Sequence, residues 1–108
     1  MDEKIFNQDL EKECQRAVEA TLSAIIFPVL EEAARELNKK GLDASASKDS
    51  KKACLLIVSK GEEHSLVFES DKKWISIFLS GSTRGRVEPE SVDSLFVEEH
   101  VSAFVAHF

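Results

Sequence analysis

The side chains best suited to chemistry are two cysteines, three histidines and a turn rich in hydroxyls and arginine, and their spacing decides what each can do. Cys14 and Cys54 stand far apart in the chain, so no Cys-x-x-Cys pair is available for redox exchange or zinc. Glu11 and Glu13 flank Cys14, and neighbouring negative charge keeps a thiol protonated instead of activating it. Cys54 opens the aliphatic run Cys54-Leu55-Leu56-Ile57-Val58, where a thiol packs as a small hydrophobe. His100 and His107 share a side of a helix but lie about 10 Å apart along it. A helical metal pair needs i,i+4 spacing so that both rings reach one ion. His64 falls at the start of a strand-like run, at the rim of the expected core face. Glu31-Glu32, Glu62-Glu63 and Glu98-Glu99 are adjacent in sequence and belong on solvated surfaces, not face to face.

The most function-like segment is Gly81-Ser82-Thr83-Arg84-Gly85-Arg86. As a loop after a strand, it can hold a phosphate or carboxylate through backbone amides, with Thr83, Arg84 and Arg86 as ligands. It lacks the Gly-Lys-Ser/Thr ending of a phosphate-binding P-loop. The plainer reading is a strand exit whose arginines pair with Glu88 or Glu90. No nucleophile elbow, dinucleotide fingerprint or calcium loop is present. The expectation is therefore no catalytic residue, no metal and no cofactor, and a protein that is not an enzyme.

The elements that position these residues follow from hydrophobic period. From Ile5 to Lys40 apolar residues recur at steps of three and four, with Glu31/Arg35 and Glu36/Lys40 on the opposite side. Pro28 interrupts that helix, so a kink near Ala24–Pro28, or two abutting helices, is expected. At about 1.5 Å per residue the full span would overhang a small sheet unless bent or shared with another chain. Asn38 and Gly41 signal its end. The period then changes to two over Leu42–Ser47, Ala53–Ser59, His64–Glu69 and Trp74–Ser80, joined by polar turns at Lys60-Gly61 and Ser70–Lys73. Helical spacing returns over Val92–His107, with Glu90 and Asp93 at its start. The expected fold is α+β in two layers: a long Pro-kinked N-terminal helix, a four-stranded antiparallel meander and a C-terminal helix, in the order α-β-β-β-β-α.

At 108 residues, with 43% hydrophobic and 31% charged residues, the chain fits one domain spanning residues 1–108. Its start, Met1-Asp2-Glu3-Lys4, has no export-signal pattern, and the longest apolar stretch is too short to span a bilayer. With two cysteines and no such signal, a cytoplasmic location is expected. The net charge of −6 is uneven: residues 1–41 carry nine acids and six bases, 42–85 six and seven, and 86–108 five and one. No basic face exists to displace counterions, so nucleic acid is disfavoured, as is an anionic membrane.

Register separates the two sheet faces. A four-residue loop at Ser70–Lys73 sets Phe68 against Ile75, Leu66 against Ile77 and His64 against Leu79; with Ala53, Leu55 and Ile57 these form the face under the helices. The other face carries Cys54, Leu56, Val58, Val67, Trp74 and Phe78 among Glu63, Ser65, Glu69, Ser76 and Ser80. That mixture resembles interface composition, in which aromatics anchor and small polar residues adapt. Three coverings stay open: one of the chain's own helices, a second copy, or a different protein or ligand.

Partner binding through Leu56, Val67, Trp74 and Phe78, as a homodimer anchored on Trp74, is the function this pattern favours. A small anion module at Thr83, Arg84 and Arg86 is the alternative. In size, charge and C-terminal helix the chain also resembles the small acidic α+β secretion chaperones, which implies a protein that holds another protein's segment. The helix–meander–helix order is similar to that of frataxins, but the balanced pairing of Glu31 with Arg35 departs from that family's strongly acidic first helix.

Overall fold

A computed structural model describes residues 15–106 of the chain. The first helix, α1, covers residues 15–39, and the part of the expected helix from Ile5 to Cys14 lies outside the described residues. Val18, Leu22, Ile26, Leu30, Ala34 and Leu37 make its buried side. The expected kink at Pro28 takes another form. The turn Leu22–Ile26 is a π-turn, and α geometry resumes over Phe27–Lys39 with Pro28 in its first turn. Proline has no N–H to give, and its ring crowds the carbonyl four residues back. That carbonyl belongs to Ala24, inside the π-turn, where bonds run from i to i+5 and the Phe27 N–H reaches the Leu22 carbonyl. The ion pairs on the outer side are Glu32–Arg35 and Glu36–Lys39, both 3.4 Å and exposed, one residue off the expected i,i+4 pairs.

The end of α1 is fixed twice. Gly41, at φ 91°, takes the left-handed conformation that glycine tolerates, and the N–H groups of Gly41 and Leu42 return to the carbonyls of Asn38 and Leu37. Beyond this turn the Asn38 side chain reaches the first strand. Its amide donates to the Ala44 carbonyl at 2.8 Å and accepts from the Ala44 N–H at 3.0 Å.

The sheet has five strands, not four: β1 Asp43–Lys48, β2 Lys52–Ser59, β3 Glu62–Asp71, β4 Trp74–Leu79 and β5 Ser82–Val87. All neighbours are antiparallel and the spatial order follows the chain. The hairpins β2–β3, β3–β4 and β4–β5 each close with two residues. Lys60 and Gly61 both have positive φ, as do Ser80 and Gly81, the twist that two-residue hairpins require. The turn after β3 is Lys72-Lys73 rather than the four residues expected, so the register moves by two. Phe68 meets Ile77, Leu66 meets Leu79 and Ser70 meets Ile75, while His64 lies opposite Ile57 on β2. A shift of two preserves parity, and the face assignment survives it.

Ala53, Leu55, Ile57, Leu66, Phe68, Ile75 and Ile77 are buried together with the apolar side of α1. A short 3-10 turn, Pro89–Ser91, leads to the second helix, α2, Ser94–Val105, which starts two residues later than its spacing suggests. Asp93 caps it, its carboxylate accepting the Phe96 N–H at 2.8 Å. Val97 and Phe104 enter the same core. The result is an α+β fold in two layers, one of helices and one of sheet.

Candidate functional site

Both described helices pack on the same side of the sheet. The His100 ring lies edge-on to Phe68 at 6.0 Å and close to Phe96 at 4.5 Å, which sets α2 against Phe68 of β3 on the core face. No described element lies across the opposite face, whose composition follows from alternation alone.

The paired residues run in rows across the strands. Ser47, Cys54, Val67, Phe78 and Thr83 form the longest row, from edge to edge. On one side of it runs Ser45–Leu56–Ser65, then Asp43–Val58–Glu63; on the other runs Lys52–Glu69–Ser76–Arg86, with Asp71 and Trp74 beyond. Cys54, Leu56, Val58, Val67, Trp74 and Phe78 are all half-buried. With no layer across this face among the described residues, that is shielding by sheet neighbours, and it leaves an apolar band with polar ends. Ser76 is buried because Trp74 and Phe78 flank it on its own strand while Glu69 and Arg86 flank it across the sheet.

The two groups of residues singled out in the sequence belong to one surface. Thr83 stands opposite Phe78, and Arg86 stands opposite Ser76 with its guanidinium carbon 5.0 Å from the centre of the Trp74 ring. Lys73 places its ammonium 5.4 Å from the same ring. Trp74 thus has two exposed cations beside its ring, each attracted to the ring quadrupole by about 0.5–1 kcal/mol. The segment Gly81–Arg86 is not the loop expected. Gly81 belongs to a tight turn and Ser82–Val87 is strand β5, with a bulge where Gly85 opposes Ile77 and Thr83 opposes Phe78, leaving Arg84 as the extra residue. Ser82–Val87 is polar and exposed except at Val87, so no period-two alternation marks it as a strand. The turn pair Ser80-Gly81 was the available signal for it.

Both edges of the sheet are guarded. In an antiparallel strand the N–H and C=O of one residue point to the same side. Those of Ala44 meet Asn38, so the outward edge of β1 is occupied at that point by a side-chain amide. The outer edge of β5 carries the Arg84 bulge, a device that disfavours strand addition.

The other candidate residues hold structural places. His100 is tied to its own helix, Nδ1 lying 3.0 Å from the Phe96 carbonyl oxygen. His64 Nε2 is 3.8 Å from a Glu62 carboxylate oxygen. Cys54 is a free thiol, and burial raises its pKa. Cys14 and His107 lie outside the described residues. Asp49, in the turn between β1 and β2, has its pKa lowered, first by the Lys51 N–H it accepts at 2.8 Å and also by that of Lys52 at 2.9 Å. Among the described residues no three of His, Cys, Asp and Glu gather in a way that could hold a metal ion. No described helix is long and apolar enough to cross a membrane.

No protein family, curated protein or solved structure matches this chain.

Proposed function

We propose that this protein is a small interaction domain that associates through its open sheet face, with a second copy of itself as the partner. The observation that carries this reading is the one-sided placement of the helices. It leaves the band Leu56, Val67, Phe78 and Trp74 with neighbours in the sheet plane and no described layer above it. Burying such a band is favourable by roughly 25 cal/mol for each Å² of apolar surface removed from water. The guarded edges direct association away from strand addition and toward the face. Closed twofold dimers are the commonest oligomers, and their contacts are self-complementary. The face suits that geometry in its charge balance: Asp43 and Glu63 lie at one end, and at the other Lys52, Lys73 and Arg86 outnumber Glu69 and Asp71. A twofold axis lying across the strands sets the acidic end of one copy against the more basic end of the other. Trp74, a large half-buried aromatic with few rotatable bonds, suits the centre of such a contact. The free thiol of Cys54 suits a reducing compartment, and we place the protein in the cytoplasm.

Light scattering across a concentration series tests this. The wild type is expected at twice its chain mass of 12.0 kDa. Trp74→Ala and Val67→Lys are expected to move it toward the single-chain mass with an unchanged circular dichroism spectrum. A wild type that holds the single-chain mass at every concentration would refute the dimer.

A further inference from the structure

The helical layer holds a second surface that the sheet-face reading does not use. Between α1 and α2 runs a groove of about 500 Å³. Ile25, Val29 and Ala33 line it from α1 in steps of four, and Val101 lines it from α2; all four are half-buried. Its rim is acidic. Glu32 and Glu36 rise from one helix and Glu98 from the other, and among the described residues no lysine, arginine or histidine lines it. Two further features mark this place. Ala24 and Ile25 belong to the π-turn, a local departure from α geometry of the kind that recurs at functional sites. And α2 is apolar beyond the side it buries: Leu95, next to Ser94 at the groove, is 62% exposed.

We propose that this groove receives a basic amphipathic helix from another protein. An apolar trough between two helices accepts a third helix through side chains spaced i, i+3 or i+4, and i+7. The three carboxylates choose among such helices by charge, favouring one flanked by lysine or arginine and repelling an acidic one. Glu32 and Glu36 keep their partners Arg35 and Lys39 at 3.4 Å, but these pairs are largely exposed and weak enough to exchange for an incoming cation. The groove lies in the helical layer and the dimer face on the sheet, so the two contacts can coexist.

The test uses the full chain and a labelled synthetic peptide with leucines on one helical face and lysines on its flanks. A shuffled peptide of the same composition is the control, and fluorescence anisotropy is the readout. The patterned peptide is expected to bind at least tenfold more tightly than the shuffled one, with affinity falling as salt rises. The triple variant Glu32→Gln/Glu36→Gln/Glu98→Gln, altered only at exposed positions, is expected to weaken it about tenfold. Amide resonances of Ile25, Val29 and Val101 should shift on binding. Absence of binding, equal affinity for the shuffled peptide, an unaffected triple variant, or shifts confined to Val67 and Phe78 on the sheet would each overturn the proposal. The first three outcomes leave the dimer untouched, whereas shifts confined to Val67 and Phe78 would mean that the peptide competes for the dimer face; light scattering reads the dimer separately.

Discussion

Replacing Asn38 with alanine removes the only side chain that joins the end of α1 to the edge strand through two hydrogen bonds to one residue, among those described. Each bond contributes about 0.5–1.5 kcal/mol net, and more when the orphaned partner is shielded from water. Ala44 is only 6% exposed, so its freed N–H and C=O are poorly rehydrated, which puts the loss at about 2–3 kcal/mol for the pair. Alanine is the better helix former and returns roughly 0.5 kcal/mol. The net expectation for Asn38→Ala is therefore about 2 kcal/mol of destabilisation. Urea unfolding followed by circular dichroism reads this as a lower midpoint with an unchanged slope. Asn38→Asp keeps the acceptor, loses the donor and sets a carboxylate oxygen against the Ala44 carbonyl, so it should cost at least as much. A loss under about 0.5 kcal/mol for Asn38→Ala would mean that water replaces the amide freely, and the account of a guarded edge would fall with it.

Two other perturbations are smaller. Asp93→Ala removes the cap of α2 and should cost about 1 kcal/mol, whereas Asp93→Asn keeps an acceptor and should cost much less; equal losses in urea unfolding would count against a capping role. The Cys54 thiol, its pKa raised by burial, favours the protonated form in the fold. Its contribution is therefore complete below the unfolded-state value of about 8.5 and is lost as pH rises through the higher folded value. The wild type should lose stability relative to Cys54→Ala as pH rises above that point, and parallel pH profiles would contradict this.

Much of the fold was legible in the residues. The four-step apolar row of α1, the stop at Asn38 and Gly41 and the alternation of β2, β3 and β4 follow from period and turn chemistry. Parity rescued the face assignment even where the turn length was misjudged: Lys72-Lys73 closes the hairpin with two residues, and a slip of two leaves every side chain on its side of the sheet. What stayed hidden was set by tertiary geometry. Strand β5 owes its place to pairing with β4, since Val87 is its only apolar residue and no alternation marks it. The residues Leu56, Val67, Trp74 and Phe78 do share one face, but the link from Trp74 to Arg86 joins neighbouring strands β4 and β5 and no local pattern announces it. The groove between α1 and α2 joins residues far apart in the chain, so it emerges only once both helices lie on one sheet.

The π-turn in α1 also acts on phase. The buried row Val18, Leu22, Ile26, Leu30 and Ala34 advances by four residues at every step. In an unbroken α-helix of 3.6 residues per turn, those sixteen residues would wind about 160° around the axis and carry the row off the sheet. One extra residue held in a wider turn takes back about 100° of that drift, so both ends of the row stay over the same core. Residues 15–21 and Phe27–Lys39 are therefore two lengths of helix kept in step by the turn between them. Deleting a single residue from Leu22–Ile26 would let α geometry run through with Val18 and Leu30 still on one side, whereas inserting one there would rotate one length against the other by about 100° and turn Val18 out toward solvent. In this segment the number of residues matters as much as their identity.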